Sequence, residues 1–290
     1  TSSSTGTTGL QIGADIYEGE AQSDYTGYSV SLSSDGTIVA IGTANNDNTG
    51  DDNGKASVYE YSSGSWSQLG SDIYGETARS SSYAGSSVSL SSDGTILAIG
   101  EYGHDFGSSG TNEGRVRVYE YSSSDVSWNQ LGSQIDGDIV QEHLGRSVSL
   151  SSNGTILAIG TEASNSYTGD VRVYEYSSTD VSWNQLGSII EGEAAGDYFG
   201  KSVSLNDDGT IVAIGAYGND ANGTKSGHVR VYQYSSSDNS WNQLGADIDG
   251  EAESDQSGWY VSLNSDTSSN IIVAIGATLN DGTDTNAGHV

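Results

Sequence analysis

One block of sequence recurs along the whole chain, and that recurrence limits the fold more than any other feature. Gly-x-Ser-Val-Ser-Leu-Ser-Ser-Asp-Gly-Thr-Ile-Val/Leu-Ala-Ile-Gly begins at Gly27, Gly85, Gly145 and Gly200, and in degraded form at Gly258. Val-x-Val-Tyr-x-Tyr-Ser-Ser follows, with Tyr59/Tyr61, Tyr119/Tyr121, Tyr174/Tyr176 and Tyr232/Tyr234. Trp-x-Gln-Leu-Gly closes the unit at Trp66, Trp128, Trp183 and Trp241. Gln11, Gln68, Gln130, Gln185 and Gln243 mark units about 58 residues apart. Five units, near 10–67, 68–129, 130–184, 185–242 and 243–290, fill one domain without a boundary. Residues 1–9 are Thr, Ser and Gly alone and read as a linker.

Each unit reads as four short strands. Ser29-Val30-Ser31-Leu32-Ser33 alternates with period two, as a half-buried strand does. Asp35-Gly36 supplies a tight turn, and Ile38-Val39-Ala40-Ile41 is apolar on both faces, which places it inside a layered packing. A loop of Gly, Asn and Asp leads to Val58-Tyr59-Glu60-Tyr61, and a Ser-rich turn to Trp66-Ser67-Gln68-Leu69. No amphipathic helical stretch is present. Tandem four-stranded modules rich in Gly and aromatics predict an all-β fold, a β-propeller of four-stranded blades. A β-solenoid is the alternative, although its repeats are shorter.

The fifth unit ends at Gly288-His289-Val290, where the fourth continues from Gly227-His228-Val229 into its Tyr strand. Leu10-Gln11-Ile12-Gly13 is an isolated copy of the fourth strand. Two readings follow: the N-terminal segment pairs as the outer strand of the blade holding Ile271 to Ile275 and closes the ring, or the sequence is an excerpt of a longer chain. The first is the expectation taken forward.

Charge excludes several partners. With 9 basic and 39 acidic side chains the net charge is −30, so the chain lacks the Lys/Arg clusters that neutralise nucleic-acid phosphates or bind anionic membranes. No apolar run is long enough for membrane insertion. Without cysteine there is no disulfide, thiolate zinc site or cysteine nucleophile.

The repeat resembles the FG-GAP family, whose members include the β-propeller of integrin alpha chains. Phe199-Gly200 matches the family's eponymous pair, where other units have Thr26-Gly27, Ala84-Gly85, Leu144-Gly145 and Ser257-Gly258. Ala213-Ile214-Gly215-Ala216 matches the second hallmark without its final proline. The resemblance implies an extracellular or cell-surface protein and adhesion or binding more than catalysis. Calcium-binding members carry an Asp-x-Asp/Asn-x-Asp-Gly loop. The turns here, such as Ser33-Ser34-Asp35-Gly36, offer too few oxygens for a cation that takes six to eight, so no metal site is carried over.

Residues able to carry chemistry also have structural roles open to them. Acids follow Gly in the blade connections (Glu20, Glu76, Asp138, Glu193, Glu251), a second set follows (Asp24, Glu142, Asp197, Asp255), and the second-to-third loops add Asp47, Asp51, Asp52, Asp220, Asp281 and Asp284. One end of the molecule is therefore expected to be negative, either as a solvated face or as a cation site, with solvation the simpler reading. His228 and His289 share a repeat position with Lys55, Arg115 and Asp170, which suggests an exposed edge. The four strand Trp fit inter-blade packing. Trp259 stands where other units have Tyr28, Ser86, Arg146 and Lys201, and is a candidate surface contact. Asn153 and Asn222 open glycosylation sequons. No catalytic constellation and no cofactor motif is found. The expectation is an extracellular, non-enzymatic structural or adhesive propeller, self-associating or binding surface proteins as a repeating subunit of a surface assembly or filament, with a glycan-binding lectin as the alternative.

Overall fold

The structure is a computed structural model that describes residues 11–17, 23–47, 52–76, 81–105, 110–265, 270–281 and 287–290. Each of the first four units opens with a hairpin whose turn is organised by one side chain. Asp35 Oδ1 accepts from Ser33 Oγ (2.8 Å), the Thr37 amide (2.9 Å) and Thr37 Oγ1 (2.8 Å), and Ser33 Oγ accepts the Ile38 amide (2.9 Å). Gly36 completes the turn at φ 72°, a conformation that glycine adopts without strain. Asp93, Asn153 and Asp208 repeat the arrangement. Asp93→Ala removes three such bonds and is expected to lower stability by about 1–2 kcal/mol. Urea unfolding measures this, and an unchanged midpoint would show that Gly94 alone sets the turn.

The hairpin strands are β1 (Thr26–Leu32) and β2 (Ile38–Thr43). β2 pairs with β3 (Lys55–Ser62), whose other edge is shared by β4 (Ser65–Gln68) and β5 (Ile73–Tyr74), so the outer position holds two short segments. The second sheet repeats this with β6 (Ser87–Leu90), β7 (Ile96–Glu101), β8 (Arg115–Ser122), β9 (Ser127–Gln130) and β10 (Ile135–Asp136). The third has β11 (Leu144–Leu150), β12 (Ile156–Thr161), β13 (Asp170–Ser177), β14 (Ser182–Gln185) and β15 (Ile190–Glu191). The fourth has β16 (Ser202–Leu205), β17 (Ile211–Ala216), β18 (His228–Ser235), β19 (Ser240–Gln243) and β20 (Ile248–Asp249). β21 (Ser257–Ser265) and β22 (Ile271–Ala277) form a two-stranded sheet. First strands pack side by side in chain order, β1 on β6, β6 on β11, β11 on β16 and β16 on β21, which is the inner-strand arrangement of a β-propeller.

The apolar cores lie between successive sheets rather than within one. Ala40, Ala56, Val58 and Ile73 of the first pack on Val88, Leu90, Leu97 and Ile99 of the second, and the later junctions repeat the pattern. Backbones approach closely there. A Cβ on Gly100 would overlap the Gly145 carbonyl of the next unit, which is why the Ile-Gly pair recurs. Ser87 Oγ crosses the same junction to the Gly145 carbonyl (2.9 Å), and the Leu150 amide donates back to Ser89 Oγ (2.9 Å). Each strand Trp also bridges sheets, as expected: the indoles of Trp128, Trp183 and Trp241 donate to the carbonyls of Leu69, Leu131 and Leu186, which directly follow the β4-type strand of the preceding sheet, at 2.8–2.9 Å.

Two expectations fail here. Residues 11–13 do not complete the sheet of Ile271 to Ile275: Ile12 accepts the Trp66 indole (3.1 Å), as Leu69 accepts that of Trp128. The N-terminal segment therefore lies on the first sheet, held by the Trp contact of every junction, while Leu10 lies outside the described residues. Among the described residues no backbone hydrogen bond joins the last sheet to the first. Val30 and Leu32 are accordingly 63% and 60% exposed, against 8% and 7% for Val88 and Leu90. The shared repeat position is likewise no exposed edge at Lys55, Arg115, Asp170 and His228, which are all buried, whereas His289 at the same position is exposed as expected.

Candidate functional site

Repetition keeps the residues that make the fold; residues that escape it concentrate at one end of the axis. The position after each Phe-Gly-type pair holds Tyr28, Ser86, Arg146, Lys201 and Trp259. The residue following the second strand is Ala44, Tyr102, Glu162, Tyr217 or Thr278. The residue before each pair is Tyr25, Tyr83, His143, Tyr198 or Gln256. Local backbone brings these together in every unit. Tyr25, Tyr83, His143, Tyr198 and Gln256 have φ between 54° and 59°, and their carbonyls accept the amides of Tyr28, Ser86, Arg146, Lys201 and Trp259 at 2.9–3.3 Å. This tight turn projects the variable side chain toward the axis.

There it lines a cavity of about 590 Å³, with Tyr28, Ser86, Arg146, Lys201 and Trp259 all in its wall. Arg146 Nε lies 2.8 Å from Glu162 Oε1, and Lys201 Nζ 3.4 Å from Glu162 Oε2. The Arg146 guanidinium stands 5.1 Å from the Tyr102 ring, and Lys201 Nζ stands 5.0 Å from the Trp259 ring and 6.0 Å from that of Tyr217. Tyr217 stacks on Tyr198 (4.7 Å) and packs on Trp259 (4.4 Å), while Tyr102 stacks on Tyr83 (5.1 Å) and meets His143 edge-on (5.7 Å). Burial and the like charge of Arg146 push the Lys201 ammonium below its ordinary pKa, with Glu162 opposing. Burial also works against the Arg146 cation, but Glu162 outweighs it and holds the guanidinium charged. Burial lifts the Tyr102 hydroxyl to about 12 and pushes the His143 imidazole down, toward its neutral form. The site is an aromatic funnel around two cations.

Trp259 is thus half-buried in this wall, and its departure from the repeat was the signal for the site. Arg146 and Lys201, seen in the sequence only as its repeat partners, belong to the same constellation. The sequons are elsewhere. Asn153 is exposed in a hairpin turn with its Oδ1 accepting from Thr155, and exposed Asn222 donates its Nδ2 to the Gly250 carbonyl (2.9 Å).

The acidic end is not simply solvated. Asp24, Glu142, Asp197 and Asp255 are buried, and the last three tie down the blade connections by accepting backbone amides. Glu76, Asp138 and Glu193 pair with Arg115, Arg172 and Arg230 on the third strands. Glu20, Asp51 and Asp284 lie outside the described residues. Glu193, His228 and Asp247 come close enough together for a metal, but the Arg230 guanidinium already bonds both carboxylates there. A further cavity of about 660 Å³, beside Tyr260, Ala274 and Gly276, has no Asp, Glu, Lys or Arg in its wall.

Fold and site together define a β-propeller with an axial cavity. Residues 183–232 match the FG-GAP repeat family, a segment that contains Phe199-Gly200 and Ala213-Ile214-Gly215-Ala216. No curated protein sequence matches the chain. Among solved structures it is similar to a periplasmic gluconolactonase, PpgL, from Pseudomonas aeruginosa, at 18% identity and TM-score 0.55, over 85% of this chain and 64% of that one. A protein described as a candidate 6-phosphogluconolactonase from Bacteroides uniformis gives 11% identity and TM-score 0.48, over 91% of this chain and 83% of that one. The chain therefore spans less than two thirds of the gluconolactonase, and the likeness establishes the fold.

The expectation of a non-enzymatic structural or adhesive protein is corrected by these findings. A propeller of this form carries the name of a lactone hydrolase, so the architecture gives no ground for excluding an enzyme. Side chains that break the repeat also meet in space. Arg146, Glu162, Lys201 and Trp259 break it within one cavity. No helix among the described residues is long and apolar enough to cross a membrane.

Proposed function

We propose that this chain is a propeller hydrolase acting outside the cytoplasm on a lactone of the sugar-acid class, bound in the axial cavity. The observation that carries the reading is the convergence of every repeat-breaking inner position on one cavity of about 590 Å³, a size suited to a small molecule. Trp259 and Tyr28 in the wall offer aromatic surface for a sugar ring, and Ser86 adds a hydroxyl. In the reaction, water adds to the lactone carbonyl carbon, the ring C–O bond breaks, the ring oxygen takes one proton, and the new acid releases another. Negative charge that develops on the carbonyl oxygen is stabilised by fixed positive charge in a water-poor site, which Arg146 and Lys201 supply. The likeness in fold to a gluconolactonase supports this choice of chemistry.

Acid release from glucono-δ-lactone, followed in weak buffer against the spontaneous rate, tests the proposal. The protein should accelerate it, and Trp259→Ala should reduce kcat/KM by about tenfold or more. Hydrolysis at the spontaneous rate across five- and six-membered aldonolactones would overturn it.

A further inference from the structure

The chain has 9 Lys and Arg against a net charge of −30, and their placement is uneven. Lys55, Arg115, Arg117, Arg172 and Arg230 stand on third strands, each matched by carboxylates at a sheet junction. Lys225 is exposed, and Arg79 lies outside the described residues. Arg146 and Lys201 differ from all of these. Their side chains are 17% and 10% exposed, they face the axial cavity, and the two share the single carboxylate of Glu162. The other groups facing them are His143, whose imidazole burial pushes toward its neutral form, and the rings of Tyr28, Tyr102, Tyr198, Tyr217 and Trp259, none of which brings a carboxylate. Aromatic faces compensate a cation only in part. An excess positive charge held away from water is costly unless an anion meets it. A protein this acidic repels anions everywhere else, so the arrangement is selective as well as attractive.

We propose that the axial cavity holds the anionic group of a small hydroxylated ligand, a carboxylate or a phosphate, between Arg146 and Lys201, with Glu162 as the internal counter-charge that tunes its affinity. This inference rests on the reading of the cavity as the binding site and adds the chemistry of what it grips. Glu162 makes the device distinctive. A carboxylate that bridges both cations organises them in the empty site, yet it also repels an incoming anion. Removing its charge should therefore strengthen anion binding, an outcome that general damage to the fold does not produce.

Calorimetric titration at constant ionic strength with gluconate, 6-phosphogluconate and the neutral polyol glucitol tests this. At least one acid should bind about tenfold or more tighter than glucitol, and the better of the two identifies carboxylate or phosphate as the preferred group. Glu162→Gln should raise anion affinity by about tenfold and leave glucitol unchanged, while Arg146→Met and Lys201→Met each lower it by about tenfold. The unmodified protein supplies a second readout. Anion affinity should fall as pH rises through the depressed Lys201 pKa, below the 10.5 of an ordinary lysine, while Arg146 stays charged. Equal affinity for acid and polyol, no saturable anion binding, or an anion affinity indifferent to Glu162→Gln and to pH overturns the inference. Lactone hydrolysis that persists in that case leaves the functional proposal standing. Tight anion binding without hydrolysis overturns the functional proposal alone.

Discussion

Glu101→Ala should destabilise the protein by about 3–5 kcal/mol, the cost of leaving a buried cation without its partner. Glu101 closes β7 with no exposure and pairs with Arg117 of β8, which also donates to the Tyr119 hydroxyl and the Tyr74 carbonyl of the preceding sheet. Burial pushes the Glu101 carboxyl above its ordinary range against the pull of Arg117, and Glu101 in turn helps hold Arg117 charged. The effect is electrostatic rather than steric, because Ala216 occupies the same repeat position, fully buried, in the fourth unit. Replacing both partners, as Glu101→Leu with Arg117→Leu, should recover most of the loss, since two apolar groups need no compensation. Urea denaturation distinguishes these outcomes. A loss below about 1 kcal/mol for Glu101→Ala would mean that water reaches Arg117.

Phe199→Ala should cost about 3–5 kcal/mol through the cavity it opens. Phe199 is fully buried between the third and fourth sheets, in one cluster with Val171, Ile190 and Val212, and meets Tyr232 edge-on at 6.4 Å. Its backbone forms a parallel bridge with Gly169, and a Cβ on Gly192 would press on its side chain, so the ring fills a junction that cannot collapse around alanine. Ala84 holds this position in the second unit, also buried. Thermal unfolding followed by tryptophan fluorescence reads the loss. A midpoint equal to that of the unaltered protein would show that the fourth unit repacks as the second does.

Much of this architecture was legible in the residues. Hairpin turns follow from Asp-Gly with flanking Ser and Thr, because one carboxylate oxygen can satisfy the whole turn locally. The apolar β7, β12 and β17 announced strands buried on both faces, and the Trp of each fourth strand announced junction packing. These features are local or repeat with the unit. The reading failed where a residue's role depends on how its side chain is buried and paired. Asp170 and His228 in one repeat position looked like a surface tolerant of either charge, yet both are buried, Asp170 beside Arg172 and His228 beside Asp247. Glu142 and Asp197 looked solvated but bind the amides of their own connections.

The sequence by itself determined the class of fold, since a repeated alternation of apolar strands, Asp-Gly turns and close-approach glycines has few other ways to bury its apolar faces. Only the tertiary structure decided the site. Tyr28, Ser86, Arg146, Lys201 and Trp259 lie a full unit apart in sequence, and side by side they are merely a position without a consensus. Arrangement of the inner strands about one axis turns that column into a ring, where Arg146 and Lys201 meet over a single carboxylate. Charge that averages to −30 over the chain thereby becomes locally positive where solvent is scarce, because electrostatic energy depends on distance and burial rather than on composition.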